Sequence, residues 1–96
     1  MTELKTHVAG FRVGAFADRL GVLVDRAVDL VREPENVYDR NAIKVMYFDH
    51  KLGYVPKAHA EVLSPLIDRG AVKIHGQINV QTLPHDILLN VRIVKC

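Results

Sequence analysis

From Val72 to Thr82 apolar and polar side chains take turns. Val72, Ile74, Ile78 and Val80 fall on one face, and Lys73, His75, Gln77, Asn79 and Gln81 on the other. A period of two over that length predicts a strand with one face in a core and the other in water. The stretch "LPHD" (83–86) then reads as a reversal. Ile87, Leu89, Val91 and Ile93, alternating with Asn90 and Arg92, predict a last strand running back along it. Earlier in the chain, Thr6–Val13 reads as a strand with Arg12 on the same face as Val8, and its interior Gly10 marks a bulge or a close backbone approach. Ala42–Phe48, a turn at Asp49-His50-Lys51 and "LGYVP" read as a hairpin ended by Pro56.

Two stretches break this alternation. "AHAEVLSPLIDRG" (58–70) spaces Ala58, Val62, Leu63, Leu66 and Ile67 along one helical stripe and finishes at Gly70, the expected C-terminal cap. Pro65 removes a backbone donor inside that stripe, so the helix is expected to be kinked or split at Ser64-Pro65. "GAFADRLGVLVDRAVDLVREP" (14–34) carries both periods. It reads as a short helix or irregular turn over Phe16–Leu20 followed by a strand over about Val24–Arg32, stopped by Glu33-Pro34. Several short strands with one or two small helices, and no regular strand-helix alternation, predict a mainly β fold built as a small barrel or curled sheet.

Composition narrows the class. With 96 residues, 49% hydrophobic and 25% charged, the chain suits one domain over 1–96 with its core over about 6–94. Its single cysteine, Cys96, leaves no internal disulfide and no C-x-x-C pair, which fits a reducing intracellular setting. No stretch resembles a signal peptide or reaches the length of a membrane span, so a soluble, cytoplasmic protein is expected. A net charge of +2 with a pI near 8.9 is too small for indiscriminate coating of nucleic acid. Any basic patch has to be assembled by the fold.

Catalytic signatures are missing. The five histidines are scattered without metal-ligand spacing, no G-x-S-x-G or phosphate-binding glycine loop occurs, and Glu33 with Glu35 reads more simply as turn chemistry than as an acid/base pair. These residues predict neither an enzyme nor a cofactor. "NVYDRNAIKV" (36–45) is different, because it packs Asn36, Tyr38, Asp39, Arg40 and Asn41 against the start of a strand. Asn36, Asp39 and Asn41 are residues that bond their own backbone in Asx turns, which suffices to explain a loop. The same side chains also offer a stacking face, an acceptor-only carboxylate and an amide that both donates and accepts, a mixture suited to the sugar end of a nucleotide.

"VREPENVYDRNAIKV" followed by "LGYVPKAHAEVLSPLIDRG" resembles the HIRAN domain, a module found at the front of helicase-like DNA-repair ATPases and as small free-standing bacterial proteins. The resemblance runs from about His7 to Val94. It implies an OB-like six-stranded barrel with two short helices that binds single-stranded DNA at its 3′ hydroxyl end. In the family, ATPase or nuclease activity belongs to other domains, so a helicase or nuclease partner is implied. Carried over by motif, the end pocket falls on Tyr38 and Asp39 with Asn41 beside them, the basic residue opening the groove on Arg12, and the lysine beyond the glycine-aromatic strand on Lys57. This chain departs from the pattern at Val13-Gly14, where family members place an aromatic pair, with Phe11 and Phe16 as neighbouring substitutes. Rival readings are a protein-interaction or regulatory barrel without DNA binding, and a minimal metal-dependent hydrolase.

Overall fold

The computed structural model describes residues 2–10, 26–83 and 86–96, with the side chains of 79–83 and 86–87 left aside. The expected helix or turn at Phe16–Leu20, the far part of the Thr6–Val13 strand and the first residues of the Val24–Arg32 strand lie outside the described residues. Among those described, six strands and one helix follow in the order β1 (Thr2–His7), β2 (Ala27–Arg32), β3 (Ile43–Tyr47), β4 (His50–Tyr54), α1 (Lys57–Asp68), β5 (Val72–Leu83) and β6 (Asp86–Lys95). All pairings are antiparallel, in the sheet order β1-β6-β5-β2-β3-β4.

The period-two stretches 72–82 and 87–93 form paired strands as expected, whereas the first strand lies earlier than the Thr6–Val13 reading, at Thr2–His7. Ile78 on β5 and Leu89 and Val91 on β6 point into the core, with Ile74 and Ile93 packed against it. Val28, Ile43, Val45 and Leu52 continue that inner face across β2, β3 and β4. Gly76 lies between Val28 and Val91 in the register. A Cβ built there meets Val28 Cγ2 at 2.9 Å and Leu30 Cγ at 3.0 Å, so the bare backbone is what lets these side chains close over β5.

The sheet corrects the expectation of an OB-like barrel. β1 and β4 end the sheet order and share no ladder. Among the described residues only Ala9, beyond the end of β1, reaches across: it exchanges two backbone bonds with Tyr54, of 2.7 and 2.9 Å. Gly10 then turns the chain at φ +72°, and on the other side Pro56 brings no N–H, so among the described residues the contact stays a single bridge rather than the continuous ladder that closure requires. The sheet curls round its core and stays open.

α1 corrects two further expectations. It runs unbroken from Lys57 to Asp68 with Pro65 inside, rather than splitting at Ser64-Pro65. Its buried residues are Ala60, Leu63 and Ser64, whereas Ala58 is exposed and Val62 is 62% exposed. The phase moves because Ser64, fully buried, donates its hydroxyl to the Asn41 carbonyl at 2.6 Å and takes the middle of the inward stripe. The C-terminal cap is as expected. Gly70, at φ +77°, donates to Ile67 O and Ala71 to Leu66 O, the Schellman pair of bonds.

The β3–β4 hairpin turns one residue earlier than the sequence suggests. Tyr47 pairs with His50, leaving Phe48-Asp49 as the turn, with Phe48 at φ +53°. Phe48 is no core residue: it is 77% exposed and meets the Tyr47 ring edge-on at 4.7 Å.

Candidate nucleic-acid interface

β2 ends at Arg32, and the next ten residues fold back before β3. The neck of this loop is closed by Glu33 N–H on Ala42 O at 2.9 Å. Arg32 braces it from inside the fold. Its Nη1 donates to the same Ala42 carbonyl at 2.8 Å, while Nε and Nη2 form a two-pronged pair with the Asp68 carboxylate at 2.8 and 2.9 Å. The hydrogen bonds to Asp68 raise the Arg32 pKa, and the same bonds hold the Asp68 carboxyl below its ordinary range. Ser64, through Asn41 O, ties the loop to α1 a second time. The loop is thus anchored to the helix at two points.

Within the loop, the turn chemistry expected of Asn36 and Asp39 is realised, whereas Asn41 takes part through its backbone. Asn36 Oδ1 accepts from the backbone N–H of Tyr38 at 2.8 Å and of Asp39 at 3.1 Å, and Asp39 Oδ1 accepts from Asn41 N–H at 2.9 Å. Ala42 N–H closes on Asp39 O at 3.1 Å. Glu33 Oε1 receives Asn36 Nδ2 at 2.6 Å and the Tyr54 hydroxyl at 2.9 Å. These two bonds, Asn36 first, hold the Glu33 carboxyl below its ordinary pKa. Lys51 donates to the Tyr54 hydroxyl at 3.1 Å with its ammonium 5.0 Å from the ring centre, and that bond raises the lysine's pKa. Tyr54 is thus a polar link between β4 and the loop.

Three of the predicted site residues therefore share one loop. Tyr38 presents its side chain to water, 92% exposed, with Val37 beside it at 89%. Asp39 and Asn41 are half-buried. One oxygen of Asp39, Oδ1, is taken by the turn, and Oδ2 takes no hydrogen bond from a described residue. Lys57 is the exposed first residue of α1, about two turns along the helix from Ser64, with no bond to the loop among the described residues. Arg12, with Val13-Gly14, Phe11 and Phe16, lies outside the described residues. The motif reading passed over Glu33 and Arg32 as members of this constellation, although "REP" stands in the signature that carried the resemblance.

A separate cleft lies elsewhere. A space of about 550 Å³ opens over β1, β6, β5 and β2, lined by outward residues such as Glu3, Asp29, His75, Gln77, Asn90 and Arg92. None of the described candidate residues, Tyr38, Asp39, Asn41 and Lys57, lines it. Among the described residues no group of three or more His, Cys, Asp or Glu side chains gathers to hold a metal ion. No helix among them is long and apolar enough to cross a membrane.

Comparison with known proteins places the chain. Over 76 residues it is 42% identical to a Fanconi-associated nuclease 1 homolog of Arabidopsis thaliana, covering 78% of this chain and 8% of that protein. Over 88 residues it is 35% identical to the helicase-like transcription factor of Oryctolagus cuniculus, covering 84% of this chain and 8% of that one. The chain thus spans less than a tenth of the length of these relatives. The crystal structure of the HIRAN domain of human HLTF superposes with a TM-score of 0.78 at 25% identity, covering 97% of this chain and 75% of that one. A crystal structure from Lactobacillus plantarum matches with a TM-score of 0.71 at 28% identity, over 97% of this chain and 99% of that one. The pattern of the HIRAN domain matches residues 1–94, and the chain therefore belongs to the HIRAN domain family, homologous to the HIRAN domain of human HLTF.

Proposed function

We propose that this chain binds single-stranded DNA and grips its 3′ hydroxyl end at the loop between β2 and β3, as the recognition part of a DNA-processing assembly whose chemistry belongs to a partner nuclease or helicase. The observation that carries the reading is the divided carboxylate of Asp39: Oδ1 is committed to Asn41 N–H and Oδ2 takes no bond from a described residue. An ionised carboxylate only accepts, so it suits the donor of a terminal hydroxyl and repels a terminal phosphate. Tyr38 offers a ring face in water to the last base, and the Asn41 amide supplies a donor and an acceptor beside it. Arg12 and Lys57 take the role of phosphate contacts, which position a strand without reading its sequence. Relatives that are named as a nuclease homolog and a helicase-like factor support the DNA-processing setting.

Titration of a labelled single strand ending in a 3′ hydroxyl, repeated over a salt series, tests this reading. Two phosphate contacts predict that log K falls against log salt with a slope of about −1.4, and Lys57→Ala brings it to about −0.7. Affinity that ignores salt, or absence of binding, removes DNA from the account and favours a protein-interaction module.

A further inference from the structure

The "REP" signature places Glu33 where no nucleotide needs it. Its side chain is only 17% exposed, at the inner end of the loop, and it touches neither Tyr38 nor Asp39 directly. What it touches is Asn36, whose amide stands between it and both. With Nδ2 on Glu33 Oε1 at 2.6 Å, Asn36 turns Oδ1 toward the N–H groups of Tyr38 and Asp39, at 2.8 and 3.1 Å. The opposite amide orientation sets the two Nδ2 hydrogens against two backbone donors and the amide oxygen against a carboxylate, so an acceptor-only partner at 33 admits one orientation.

Glu33 is itself fixed from the other side. The Tyr54 hydroxyl donates to the same Oε1 at 2.9 Å and is held in turn by Lys51 Nζ at 3.1 Å, while Lys44 Nζ stands 4.0 Å from Oε2. A chain of bonds therefore runs from the β3–β4 hairpin through one carboxylate and one amide to the backbone of the two residues proposed to meet the DNA end.

We propose that Glu33 is the positioning residue of the end-recognition loop: through Asn36 it sets the backbone of Tyr38 and Asp39, with Tyr54 and Lys51 fixing it on the hairpin side. The proposal rests on the reading of this loop as the site of end recognition. It gives the glutamate of the signature a role distinct from contact with DNA, since both hydrogen bonds its side chain accepts from described residues come from Asn36 in the loop and from Tyr54 on the hairpin.

The test pairs two measurements on the full chain carrying Glu33→Leu, with Glu33→Gln as the conservative variant. Amide hydrogen exchange reads the loop without DNA, and titration of single strands ending in hydroxyl or in phosphate reads recognition. Glu33→Leu is expected to speed exchange at the Tyr38 and Asp39 amides and to lower affinity for the hydroxyl end by about tenfold or more, the scale of a lost charged hydrogen bond. Glu33→Gln keeps an acceptor for both donors and is expected to recover most of the amide protection and of the preference between ends. A merely structural stabiliser lowers the melting temperature without moving that preference. Unchanged amide exchange in Glu33→Leu overturns the inference, as does faster exchange with the preference intact. A wild type with no preference, whose Glu33→Leu variant still loses amide protection, overturns end recognition itself and reduces Glu33 to a staple of the turn.

Discussion

Asp39 divides its carboxylate between two tasks. Oδ1 closes a turn onto Asn41 N–H, a bond that aspartate commonly makes to its own backbone, and Oδ2 remains without a bond from the described residues. The neighbouring Tyr38 has no such structural duty: it is 92% exposed and forms no part of the core. Tyr38→Ala is therefore expected to leave the melting temperature close to that of the wild type, while weakening single-strand binding by about 1 to 3 kcal/mol, the worth of one stacked base. A thermal melt and a titration check the two halves; a variant that melts early but binds as before returns Tyr38 to the structure. At this scale the short-range chemistry was readable from the residues alone, because Asn36 and Asp39 reach partners two or three positions away. Arg32 and Glu33 were not readable in the same way. Their partners Asp68 and Tyr54 lie 36 and 21 residues distant, and only the fold brings them near.

For whole elements, alternation was a good guide and helical phase a poor one. β5 and β6 run where their period of two put them, and Gly70 ends α1 with the bonds its freedom at positive φ allows. The stripe on α1 was misjudged because a serine sits at its centre, and a buried hydroxyl is tolerated there only through its bond to Asn41 O. Pro65 was expected to break the helix. It costs one backbone bond, but it lies on an exposed face while Leu63 and Ser64 hold the segment against the core, and packing outweighs the missing donor. Barrel closure was likewise beyond the strand pattern, since strand count does not say whether the two edges meet in a ladder or at one residue pair. Gly76 is the element-level position with the sharpest consequence. Its added Cβ in Gly76→Ala meets Val28 and Leu30 at 2.9 to 3.0 Å, in the packed face of β5. The cost is expected to be about 1 to 3 kcal/mol in a denaturant melt; a variant as stable as the wild type shows that Val28 and Leu30 yield without strain.

As a molecule, the chain combines, among its described residues, an open sheet, one helix laid against it, and a polar loop tied to both. The net charge of +2 is too small to hold nucleic acid by attraction alone, so affinity has to come from where a few groups stand. The loop is well suited to that task because it is braced at its base by Arg32 and Ser64 and exposed at Tyr38. Fold membership was legible from the signature "VREPENVYDRNAIKV", whereas the open sheet and the bonds that brace the loop needed coordinates. The central claim is that Asp39 reads a terminal hydroxyl, and it is tested most directly by comparing two single strands, identical except for a 3′ hydroxyl or a 3′ phosphate, at one salt concentration. The wild type is expected to prefer the hydroxyl end by about tenfold or more, and Asp39→Asn, which keeps an acceptor for the Asn41 N–H, to narrow that preference to about twofold while melting near the wild type. A wild type that binds both ends alike, or an Asp39→Asn variant that loses stability and keeps the preference, contradicts the account and leaves Asp39 as a turn residue.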